Sequence, residues 1–99
     1  ANAQRAIGWC YFMTGKYDDA NRFFDKLLRS DESQSSDWLN AGHVYLAQNN
    51  IQRALKCYRH VESTCKTHDE FMKLYLADKA ALLEQGILEE NIYLVADML

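Results

Sequence analysis

Apolar positions along this chain recur with helical spacing, and the spacing itself recurs. Ile7, Tyr11 and Thr14 fall at i, i+4 and i+7, and Ala20, Phe24, Leu27 and Leu28 at i, i+4, i+7 and i+8, so each set lies on one face of a helix. The spacing predicts helices over Asn2 to Thr14 and Asp18 to Ser30, turned at Gly15-Lys16-Tyr17, where glycine tolerates positive φ. The same arrangement returns 34 residues on (42 − 8 = 34), with Ala41-Gly42 for Ile7-Gly8, Tyr45 for Tyr11, Ala54 for Ala20 and Tyr58 for Phe24. It predicts helices over Ser36 to Gln48 and Ile51 to Cys65, with Asn49-Asn50 at the turn. Ser35 or Ser36 is the expected N-cap of the third helix. Thr67-x-x-Glu70 reads as a capping box ahead of the apolar run that begins at Phe71.

A fixed period of this length marks an array of helix pairs. Trp38, Gly42 and Tyr45 followed by Ala54 and Tyr58, with Gly8, Tyr11, Ala20 and Phe24 before them, resemble the tetratricopeptide repeat family. The resemblance implies an all-α fold in which antiparallel helix pairs stack as a right-handed α-solenoid of about six helices. Repeat one would cover 1–34, repeat two 35–68, and a degenerate third helix pair 69–99. The third pair departs from the pattern: with Gly86 as its turn glycine, Lys79 falls where glycine belongs and Asn91 where alanine belongs. Leu88, Val95 and Met98 would form its apolar stripe, on a last helix that covers the end of the stack.

Glycine and alanine at these places would let paired helices approach closely, and leucine at Gly8 is expected to destabilise the fold by roughly 1–3 kcal/mol. The family curves so that the first helix of each pair lines a concave groove. The resemblance turns Asn2, Arg5, Trp9, Phe12 and Met13 into it, then Ser36, Leu39, Asn40, His43 and Leu46, then Lys73, Leu76, Ala80 and Leu83. That surface is mostly apolar, with Arg5 as a cation and His43 as a titratable donor, and it suits a peptide segment of a protein partner. Trp9, Phe12 and Met13 could instead pack on neighbouring repeats or on the last helix, which would make these repeats a structural stretch or a self-association scaffold. Some family members hold a partner's terminal carboxylate in a clamp of lysine, asparagine and arginine. Arg5, Asn40 and Lys73 match clamp positions, while Trp9 and Ala77 depart from them, which leaves the convergent donor set incomplete. A second likeness, to the tetratricopeptide chaperones of bacterial type III secretion, rests on Gly15, Gly86 and the run of helices.

Composition narrows the choices. The net charge of −3 argues against nucleic acid, and no apolar run reaches the ~18–20 residues of a membrane span. Cys10, Cys57 and Cys65 are odd in number, which favours a reducing, cytoplasmic setting. The chain begins without methionine and stops inside an apolar pattern, as a piece of a longer protein would. Cys57-x-x-His60 and Cys65-x-x-His68 have metal-like spacing, but the second pair straddles a helix end, so no metal or other cofactor is expected. Arg53, Lys56, Arg59 and His60 make one side of the fourth helix basic, most simply a solvated face. No catalytic constellation stands out, and the chain reads as a non-enzymatic interaction module.

Overall fold

The computed structural model describes residues 1–99 as seven helices: α1 (Asn2–Met13), α2 (Tyr17–Arg29), α3 (Ser35–Ala47), α4 (Ile51–Thr64), α5 (His68–Leu76), α6 (Lys79–Glu84) and α7 (Glu89–Asp97). Successive helices pack in order, α1 on α2, α2 on α3 and α3 on α4. Gly15 and Gly86 turn with φ of 78° and 83°, and Asn49 takes φ 60°, as the turn positions demand. Asp18 and Asp19 open α2 and Glu89 and Glu90 open α7, where the positive end of the helix dipole favours carboxylates.

The small residues work differently from the expected backbone crossing. The space beside each motif glycine is filled by an aromatic ring of the second helix. A Cβ at Gly42 would stand 2.6 Å from the Tyr58 ring, and one at Gly8 would stand 3.1 Å from the Phe24 ring. Phe24 and Tyr58 are thereby sealed in the core beside Ala20 and Ala54.

Three local expectations are corrected. Gln34, and not Ser35 or Ser36, precedes α3: the buried Asp37 carboxylate accepts from the Gln34 N–H at 2.9 Å. Thr67 does cap α5, accepting from the Glu70 N–H at 3.1 Å, but the Glu70 carboxylate reaches back to the Lys66 N–H and not to Thr67. The single fifth helix expected after Thr67 is two. It breaks at Ala77-Asp78, where Asp78 takes φ −98° and ψ 8° and its carboxylate is held from α3.

In the last pair the crossing sits one residue away from the expected register. Ile92, Val95 and Ala96 are buried, and Asn91 is exposed. The Tyr75 hydroxyl donates to the Ile92 carbonyl at 2.7 Å, tying α5 to α7. Lys79, expected at the crossing, instead donates to the Tyr93 hydroxyl and pairs with Glu89, each at 3.1 Å. Of the expected stripe only Val95 is inside; Leu88 and Met98 face outward, more than half exposed.

Candidate functional site

The inner face of α1 and α3 was the expected groove, and α6 occupies it. At the far end of α6, the Gln85 amide donates to the Met13 carbonyl at 3.1 Å and accepts from the Tyr17 hydroxyl at 2.8 Å. At its near end, Asp78 meets His43 Nε2 at 2.9 Å. Between these ties Leu82 joins the same core as Phe12, Leu39 and Leu46. Phe12, Leu39, His43 and Leu46 are buried, a correction to their expected place on an open surface. His43 holds the start of α6 through Asp78, and all four side chains are closed off from solvent. Of the expected lining, Asn2 and Lys73 are exposed, and Trp9, Met13 and Asn40 half-buried. Trp9 leans on Phe12 with ring centroids 5.2 Å apart.

Two polar clusters organise this face. Arg5 reaches from α1 to α3, donating from Nε at 2.8 Å and Nη2 at 3.0 Å to the two oxygens of Asp37, and from Nη2 to the Glu32 carbonyl. The hydrogen bonds to Asp37 hold the guanidinium pKa above its ordinary value. Arg5 is therefore spent on the fold, and the carboxylate clamp has lost its best-placed cation. The second cluster is buried at His43 and Tyr58, with Asp78 at its partly exposed edge. His43 lies with Nδ1 2.8 Å from the Tyr58 hydroxyl and Nε2 toward Asp78. One tautomer satisfies both nitrogens: Tyr58 donates to Nδ1, and Nε2–H donates to Asp78. Burial drives the Tyr58 hydroxyl well above its usual pKa, which keeps it a donor.

The remaining constellations are dispersed. Cys57 is buried, with its thiol pushed up to about 11 by burial and by nearby Asp25. His60 stacks on Trp38 at 4.0 Å, Cys65 donates to the Val61 carbonyl, and His68 pairs with Glu62. No three His, Cys, Asp or Glu side chains converge as metal ligands would. Arg53 lies over the Tyr45 ring at 5.7 Å, and Arg59 reaches the Met98 carbonyl.

Sequence reasoning missed Asp37, Tyr17, Asp78 and Gln85. Asp37 carried a signal: at i, i+4 and i+7 with Ala41 and Val44 it places a carboxylate on an apolar face, which calls for a buried partner. Gln85 carried none.

Helix pairs packed in sequence order with an aromatic beneath a glycine define a helical-repeat protein. The family model described as tetratricopeptide repeat matches residues 38–68, the α3–α4 pair with its Trp38, Gly42, Tyr45, Ala54 and Tyr58. Residues 38–68 form a tetratricopeptide repeat. No curated protein and no solved structure matches it.

Proposed function

We propose that the chain is a non-catalytic protein-interaction module, one domain of two full repeats and a degenerate third, that takes a peptide segment of a partner along the rim of its inner face. Repeats of this family generally mediate protein–protein interaction. The observation that carries the reading is the surface. Ile7, Leu74, Leu83, Leu88, Tyr93, Leu94 and Met98 stand at least 40% exposed around a core in which no buried side-chain polar atom lacks a partner. Such apolar area on a completed fold is suited to a protein partner. On the inner face the contact residues would be Trp9 and Met13, with Asn2, Asn40 and Lys73 orienting the peptide by hydrogen bonds and charge. Phe12, Leu39, His43 and Leu46 would join them only if α6 moved aside. No helix is long and apolar enough to cross a membrane, and the three cysteines are free thiols, which suits a cytoplasmic setting.

Selection of binders from a random peptide library, followed by titration into a Trp38→Phe variant so that emission reports Trp9 alone, tests this reading. The expected result is a saturable change in Trp9 emission and at least about a tenfold loss of affinity on Trp9→Ala, a hot-spot loss of roughly 1.4 kcal/mol or more. Peptides that bind with Trp9 silent and Trp9→Ala harmless would remove the inner face from the reading.

A further inference from the structure

The structure contains its own template for covering an exposed helix face. On α3, Ala41, Val44, Tyr45 and Gln48 lie at i, i+3, i+4 and i+7, and this face meets α2. Gln48 bonds Asn21 at 2.8 Å and Asp18 at 3.2 Å, Tyr45 points at Asp25, and Ala41 and Val44 are buried. The equivalent face of α1, 34 residues earlier, is Ile7, Cys10, Tyr11 and Thr14. Nothing covers it: Ile7 is 43% exposed, Cys10 and Thr14 are exposed, and the four side chains line a shallow apolar cleft with Ala6 and Lys16. Lys16 is its one charge. It forms no salt bridge and stands 6.0 Å from the Tyr11 ring centroid.

The opposite end of the stack carries the matching half. The buried residues Ala20, Phe24 and Leu27 of α2 correspond, 72 residues on, to Ile92, Ala96 and Leu99 (20 + 72 = 92). In that register the α3-facing residues Asp18, Asn21 and Asp25 become Glu90, Tyr93 and Asp97. All three are exposed, and Leu94, one turn from Glu90 and Asp97 and in the place of the exposed Arg22, is 54% exposed beside them. A helix that shields a repeat stack carries a polar outer face; α7 does not. Its outer face is apolar at the centre and acidic at the flanks, with Lys79 held against Tyr93 and Glu89, and the α1 face is apolar with a lysine at its edge.

We propose that a second copy of this chain docks head to tail, its α7 face (Glu90, Tyr93, Leu94, Asp97) lying on the α1 face (Ile7, Cys10, Tyr11, Thr14) as α2 lies on α3. Lys16 would then face Glu90 or Asp97 of the neighbouring copy. Because the two faces differ, the contact is heterologous and propagates beyond a dimer. The proposal draws on Ile7, Tyr93 and Leu94 of the exposed apolar set described above, but it uses neither Trp9 nor Met13, so its test is separate from that of the inner face.

Sedimentation of the chain over rising concentration, to about 1 mM, where even weak association registers, tests it. The expected result is a mass that climbs past the dimer. Ile7→Asp and Leu94→Arg, both at exposed positions, should each sediment as monomers with unchanged circular dichroism. Their equimolar mixture should give a one-to-one dimer and stop, because each retains one competent face. Should either variant fold poorly, the charge exchange decides: Lys16→Glu weakens assembly, and Asp97→Lys in the same chain restores it. A wild-type monomer throughout, or a mixture that does not pair, would overturn the proposal. An isologous α1–α1 dimer, shown by Leu94→Arg still dimerising alone, would also overturn it.

Discussion

Gly42 lies directly beneath the ring of Tyr58, so close that a single added Cβ would stand 2.6 Å from the ring carbon Cε1. At the equivalent place Gly8 leaves 3.1 Å to Phe24. Alanine improves helix propensity at both sites by up to about 1 kcal/mol, and overpacking opposes it by about 1–3 kcal/mol. Tyr58 is fully buried and its hydroxyl is engaged by His43, so its ring is the less free to move. Gly42→Ala should lose stability in urea denaturation, and by at least about 1 kcal/mol more than Gly8→Ala. Equal effects would mean that the two rings yield equally.

The bridge from Arg5 to Asp37 sets a second expectation. Asp37 is fully buried, and without Arg5 its carboxylate keeps only the backbone N–H of Gln34 as a donor. Arg5→Ala therefore strands a buried charge, whereas Asp37→Asn removes that charge and keeps an acceptor. Denaturation midpoints should fall further for Arg5→Ala than for Asp37→Asn. An equal fall in the two variants would contradict this account.

Cysteine labelling separates surface from core. Cys10 is exposed, and Cys57 is buried with its thiol pushed up to about 11. At pH 8 iodoacetamide should modify Cys10 first and reach Cys57 only with unfolding, as peptide mass spectrometry would show. The raised thiol also has a sign in stability. Its contribution is fully present below the unfolded thiol's value near 9 and is lost as pH rises through about 11. Tyr58 and Tyr75, also raised by burial, act in the same direction at higher pH. Cys57→Ala should flatten the thiol's part of the alkaline decline, at most about 2 kcal/mol. An unchanged slope between pH 9 and 11 would assign the decline elsewhere.

The ties of α6 predict a local opening. Gln85→Ala removes both hydrogen bonds to Met13 and Tyr17, and Asp78→Ala removes the acceptor of His43. In hydrogen exchange, the double variant should lose protection across Leu82 to Ile87 while Ala54 to Val61 stays protected. Tyr58→Phe is expected to be harsher globally, by about 1–3 kcal/mol, since it leaves His43 Nδ1 buried without a donor. Uniform loss of protection along the whole chain would mean that α6 does not open by itself.

The helices, their turns and the pairing of the first four were present in the residue pattern. Gly15, Asn49 and Gly86 mark places where φ must be positive, and 34-residue recurrence brings the same apolar faces together twice. These are local properties: a helix face is set by spacing, and a turn by which residue tolerates it. The direction in which α6 runs was not local. It depends on a kink at Asp78, on a histidine from α3 that holds it, and on an amide at Gln85 that finds a carbonyl 72 residues away. Helical periodicity shows which residues share a face, yet it says nothing about what covers that face. Hence the spacing that grouped Phe12, Leu39, His43 and Leu46 was sound, and only tertiary packing decided that they would lie beneath the chain's own sixth helix while Ile7 and Leu94 remained outside.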